Sequence, residues 1–167
     1  MKIPYKYLKW TLYVAVLLLA FTLQQTKGAL PVIAGARPVL LIPFAICVAM
    51  YEGDTYGGAF GLITGLLWDF SANRVLGFNA VLLMLAGVAC GIIITYLMQN
   101  NIFSSLILCG GAVFLLELFD WFFYYLLWGY DKPLLVFFQA YIPTMMYSML
   151  FVPVFHYFFK WAKQQLK

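Results

Sequence analysis

GGAFGLITGLLWDFSANRVLGFN, residues 57–79, sets the reading of the whole chain. Gly57, Gly61 and Gly65 recur every four residues, and the apolar run that carries them ends on a single carboxylate, Asp69. Positions four apart in a helix drift only slightly around its axis. The three glycines therefore make a slanted groove without side chains, along which another helix can lie at close range. Small residues at this spacing are a packing device of membrane helices, because lipid gives no hydrophobic push between them. Two occupants of the groove are open on sequence alone: a second helix of this chain, or a helix of a partner. A polar turn with Asn73 and Arg74 follows, and Leu76-Gly77-Phe78-Asn79 leads into the next apolar segment.

Working outward, composition fixes the solvent. Hydrophobic residues make up 65% of the 167 and charged residues 10%. Soluble domains carry about 25% charge, so too little polar surface remains to cover a soluble globule. Lipid must bathe most of the chain. The ten basic residues give a net charge of +4, but they form no continuous patch for nucleic acid. Cys47, Cys90 and Cys109 each stand alone in an apolar run, with no metal-ligand spacing, and read as small packing residues.

Hydropathy predicts an all-α integral membrane fold: one polytopic domain, residues 1–167, forming a compact bundle of six transmembrane helices. The predicted spans are about 7–24, 34–51, 55–71, 78–98, 102–128 and 134–159. A basic and aromatic collar (Lys2, Lys6 and Lys9 among Tyr5, Tyr7 and Trp10) precedes the first span, the layout of a signal peptide, but no small-x-small cleavage site follows it. The second and third segments are short, so a re-entrant hairpin competes with two full spans. The Glu52-Gly53-Asp54 connection favours two spans, since a hairpin would hold both carboxylates at membrane depth at a cost of roughly 2.5–3.5 kcal/mol each. Gly87 and Gly91 repeat the four-residue spacing in the fourth span. Pro143 and Pro153 predict kinks in the sixth.

Six spans put both ends on one side. Lys2, Lys6, Lys9, Lys160, Lys163 and Lys167 then face Lys27, Arg37, Arg74 and Lys132 across the membrane. The excess of positive charge marks the cytoplasmic side, so both termini are predicted cytoplasmic, with Asp69, Asn73, Arg74 and Asp131 outward.

Intramembrane carboxylates are costly and mark functional positions by default. Asp69 qualifies, as do Glu117 and Asp120, which lie three apart on one helix face. The bland readings are a local Asp69–Arg74 pair that closes the turn, and a hydrogen-bonded Glu117 carboxyl that holds two helices together. Catalysis has little to stand on. His156 is the one histidine, and Ser71, Ser104, Ser105 and Ser148 have no histidine beside them in sequence. No catalytic or phosphate-cradling motif is present, and neither a metal site nor a cofactor is predicted. The aromatic runs 119–128, 137–147 and 151–161 exceed what interfacial belts need. They fit an aromatic contact surface for a second membrane protein, or aromatic packing inside the bundle.

The central stretch resembles the MreD family of bacterial rod shape-determining membrane proteins. The likeness rests on Gly57-x-x-Phe60-Gly61-x-x-x-Gly65-Leu66-Leu67-x-Asp69, a small polar turn, and Leu76-Gly77-Phe78-Asn79-Ala80. Chain length, the six-span plan, an acidic residue in the fifth span and a short basic tail agree in layout. The resemblance implies a multi-pass protein of the bacterial cytoplasmic (inner) membrane that belongs to the cell-elongation machinery and regulates peptidoglycan synthesis. It implies a scaffold rather than an enzyme, with MreC as the closest partner and MreB, RodA and a penicillin-binding transpeptidase in the wider complex. Gly61, Gly65, Asp69, Gly77 and Asn79 match the family motif and are expected to serve fold and partner contact. A second reading likens the chain to the substrate-binding membrane subunit of energy-coupling-factor transporters, with the Asp69–Asn79 loop capping an outward pocket.

Overall fold

The computed structural model describes residues 5–26, 28–29, 31–32, 36–72, 76–126 and 133–165, nearly all of them helical. Six rods run back and forth. Four are single helices: α1 (Tyr5–Gln25), α2 (Leu41–Glu52), α3 (Asp54–Ala72) and α4 (Phe78–Tyr96). The fifth is α5 (Ile102–Trp121), continued by a π-helical turn, Phe122–Leu126. The sixth is assembled from α6 (Pro133–Val136), a second π turn (Phe137–Tyr141), α7 (Ile142–Leu150) and α8 (Val152–Gln165). Four stretches are long and apolar enough to cross a membrane: Leu8–Gln25, Phe78–Tyr96, Ile102–Tyr124 and Leu134–Gln165.

The second helix departs from the 34–51 segment anticipated from hydropathy. Residues 33–35 lie outside the described part, and helix begins only at Leu41. Pro38 explains the late start. It cannot donate to a helical carbonyl, and it pushes Arg37 out of the helical region. Pro43 is tolerated because it falls in the first turn, where an N–H has no intrahelical acceptor anyway. The resulting helix of 12 residues is about 18 Å long, against about 30 Å of hydrocarbon.

This short rod is nonetheless the centre of the molecule, with every residue from Leu41 to Tyr51 buried. A helix buried at both ends must find partners for its orphan backbone groups, and other helices supply them. At the start of α2, Ser148 Oγ accepts from the Val39 N–H at 2.8 Å. Gln24 Oε1 accepts from Leu40 and Leu41 at 2.9 and 3.2 Å. At the other end, the Gly53 N–H bonds the Ala49 carbonyl at 3.0 Å, Asn100 Nδ2 donates to Met50 O at 2.9 Å, and Lys163 Nζ donates to Tyr51 O. Glu52, next along, is held by Lys9 Nζ and by the Tyr13 hydroxyl at 2.9 Å. Gly53 turns the chain into α3 in a left-handed conformation, φ +94°.

These contacts also fix the polarity of the bundle. Lys9 near the start of α1 and Lys163 near the end of α8 meet the same end of α2. We call it the terminal end, and the opposite one, with Gln24 and Ser148, the loop end. Tyr13, Phe44, Phe60, Phe155 and Phe159 stack edge-on or tilted between α1, α2, α3 and α8. Cys47, Cys90 and Cys109 are free thiols buried in the core.

Both irregularities of the sixth rod trace to proline. Pro143 cannot donate to the carbonyl four residues back, and the preceding turn opens so that Ile142 N–H bonds Phe137 O instead. Pro153 likewise lacks the N–H that would continue the ladder, and the rod breaks at Phe151, whose N–H reaches back only to Ser148 O at 3.2 Å.

Candidate functional site

The glycine groove of α3 is filled by α4 of the same chain. A Cβ placed on Gly61 would strike the Leu83 carbonyl, one on Gly65 the Ala80 and Asn79 backbone, and one on Gly57 both Ala49 of α2 and the Gly87 carbonyl. The relation is reciprocal: Gly87 faces the Gly57 backbone and Gly91 that of Asp54. Two ladders of small residues therefore interlock in an antiparallel hairpin, backbone against backbone, and α3 with α4 is the most extensive helix pair of the molecule. Of the two occupants left open by the sequence, the internal helix is the one seen.

Asp69 closes this hairpin at the loop end. Its carboxylate is fully buried and receives four hydrogen bonds. Oδ2 accepts from Gly77 N–H at 2.8 Å and Ala80 N–H at 3.3 Å. Oδ1 accepts from Asn79 Nδ2 at 2.9 Å and Asn79 N–H at 3.3 Å. The three backbone donors belong to the first turn of α4, whose N-cap, Gly77, contributes no side chain of its own. Asp69 thus performs the capping job from the neighbouring helix, and its negative charge faces the positive end of the α4 dipole. Gly77 has φ +96°, the left-handed region that a side chain would strain. Its backbone bends there so that its own N–H points at the carboxylate. Asn79 is buried as well, 1% exposed, and its amide completes the socket.

The family model for rod shape-determining protein MreD matches residues 5–163. The chain belongs to the MreD family. No curated protein and no solved structure matches it. Gly57, Gly61, Gly65, Asp69, Gly77 and Asn79 all pack or cap the α3–α4 hairpin, so in this MreD protein they form spatially one object. Asn73 and Arg74 lie outside the described residues, and with them the anticipated Asp69–Arg74 pair.

The two other carboxylates that the sequence singles out lie in the fifth rod. Glu117 and Asp120 are both buried, 5% and 4% exposed, and Asp120 Oδ2 accepts from the Tyr141 hydroxyl at 2.8 Å. That bond ties the fifth rod to the π turn of the sixth, beside an edge-on Trp121–Phe137 contact. Neither carboxylate approaches Asp69 in any hydrogen bond among the described residues.

One polar cluster escapes a sequence reading altogether. His156 Nδ1 lies 2.5 Å from Ser105 Oγ, and the Tyr51 hydroxyl lies 3.2 Å from the imidazole nitrogens. The three residues come from α8, α5 and α2. Separations of 51 and 105 residues leave no local signal. The serine that seemed to have no histidine has one through the fold. Ser105 is fully buried and His156 is 3% exposed, so no substrate can reach the pair as it stands. Among the described residues, no group of three or more histidines, cysteines or carboxylates could hold a metal ion.

Proposed function

We propose that this MreD protein is a non-enzymatic, multi-pass scaffold of the cell-elongation machinery in the bacterial cytoplasmic membrane. In this reading its six rods all cross the bilayer with both termini cytoplasmic, and it regulates peptidoglycan synthesis through MreC, with MreB, RodA and a transpeptidase in the wider assembly. Membership of a rod shape-determining family supports the role. The observation that carries the scaffold reading is the α3–α4 hairpin. Its glycines and its capped carboxylate are spent on rigidity, with no opening for a substrate at Asp69, which is wholly enclosed. A rigid hairpin presents fixed outward faces, to which the exposed Leu62, Ile63, Val81 and Leu85 belong.

The experiment is co-purification with MreC from membranes. Gly61→Leu should abolish it by prising the hairpin apart. Bulky or charged substitutions of Ile63 and Leu85, which leave the ladder intact, should weaken it while the protein still accumulates and melts normally. A folded chain that retains MreC through every such substitution would remove this face from the proposal.

A further inference from the structure

The polar cluster at the terminal end has no part in the hairpin, yet it joins three rods through one imidazole. We propose that His156 is the pin of an acid-released latch that fastens the terminal half of α8 to α2 and α5.

The donors and acceptors accommodate a neutral ring in either tautomer, and one of the two also uses the bond from Ser105 to Asn101. In that one, Nδ1–H donates to Ser105 Oγ, Ser105 in turn donates to Asn101 O at 3.3 Å, and the Tyr51 hydroxyl donates to Nε2. Every polar atom of the cluster is then used. A proton taken up from solvent makes both ring nitrogens donors, so the Tyr51 hydroxyl must turn from donor to acceptor. It also places a cation in a site built for a neutral group, where an unpaired charge is expensive.

The surroundings offer it no relief. From α2 come Tyr51, with Cys47 one turn before it, and Glu52, whose two oxygens are already engaged by Lys9 and Tyr13. From α5 come Ser105 and, one turn on, Cys109. The only titratable residue of α7, Tyr147, lies more than two turns away along the rod. α8 itself contributes Tyr157, edge-on to the imidazole at 5.7 Å, Lys160 one turn below, and Lys163, which caps the end of α2 through Tyr51 O. Among the described residues, no carboxylate bonds to His156. The fastened state is the neutral one, so the fastening is present above the ordinary histidine range and is lost as pH falls through it.

The release has an observable geometry. Spin labels on Gln99→Cys, in the α4–α5 turn, and Gln164→Cys, near the end of α8, report the separation of the two elements that the latch joins. Both positions are exposed, and the three native thiols are buried. In full-length protein reconstituted in nanodiscs, a second, longer distance should grow as pH is lowered from about 8 to about 5, bracketing the imidazole range. His156→Gln, which keeps hydrogen bonding but cannot ionise, should hold the short distance throughout. His156→Ala should show the longer one even at the high end. A single pH-independent distance in the unsubstituted protein overturns the latch, as does a His156→Gln variant that opens with acid to the same extent.

Discussion

Asp69 is a buried anion that owes its place to four donors supplied within eleven residues of it. Removing the acceptor leaves those donors buried and unpaired, which is worse than never having made the bonds. Asp69→Ala should therefore cost about 3 kcal/mol or more, read as a fall in the melting temperature of the purified protein. Asp69→Asn should cost less, because its remaining oxygen still serves two donors while its NH2 faces the others. The Lys9–Glu52 pair makes a second residue-scale test. Its side chains are only 16% and 8% exposed, so a double-mutant cycle should return a coupling of about 1–2 kcal/mol, above the usual yield of an exposed pair. The importance of Asp69 was legible in sequence, because a lone carboxylate ending an apolar run has few bland explanations. Its partner was not. Among the described residues the socket is made of three backbone N–H groups, which every residue but proline carries and no sequence displays, completed by the Asn79 amide.

At the scale of elements, the same residue type has opposite roles depending on what faces it. Gly61 and Gly65 meet the α4 backbone, while nothing lies within 4 Å of a Cβ built on Gly111 of α5. Gly65→Ala should separate α3 from α4 and lower the yield of folded protein. Gly111→Ala should be neutral or stabilise by up to about 1 kcal/mol through helix propensity. Comparing their melting temperatures separates close packing from mere tolerance of glycine. The π turn before Pro143 gives a further test. Pro143→Ala restores an N–H and should tighten the turn toward ordinary helix. That rotates Tyr141 away from Asp120, and a cysteine pair at 120 and 141 should then cross-link less efficiently than with proline present. Sequence showed both ladders, since Gly87 and Gly91 carry the spacing of Gly57, Gly61 and Gly65. Periodicity says which residues share a face, but not which face meets which, so the pairing of the ladders had to come from the fold. The prolines marked the irregular places; whether each would kink, widen or break its rod depended on the partners of the freed carbonyls.

For the molecule as a whole, the contacts of α2 place the start of α1 and the end of α8 at one end of the bundle, with Asp54 there and Leu76 at the other. With cytoplasmic termini, Asp54→Cys should react with a membrane-impermeant thiol reagent only from the cytoplasmic side, and Leu76→Cys only from outside. The native cysteines, all buried, leave little background. Labelling of both from one face would discard the alternating path. Composition was enough to read a membrane protein, because 10% charge cannot clothe a soluble surface, and the long apolar runs read as helices. The cluster of Tyr51, Ser105 and His156 was beyond reach, since its members share nothing until three distant helices have docked.

The short central helix also dictates an order of events during synthesis. Gln24 of α1 can serve the N–H groups of Leu40 and Leu41 early, but the Val39 N–H waits for Ser148 and the Tyr51 carbonyl for Lys163, both made after α5. A nascent chain that stops after α4 leaves both of those groups unpartnered in a nonpolar medium. Such truncated products should be recognised by quality-control proteases, and the second helix is fully bonded once α8 arrives.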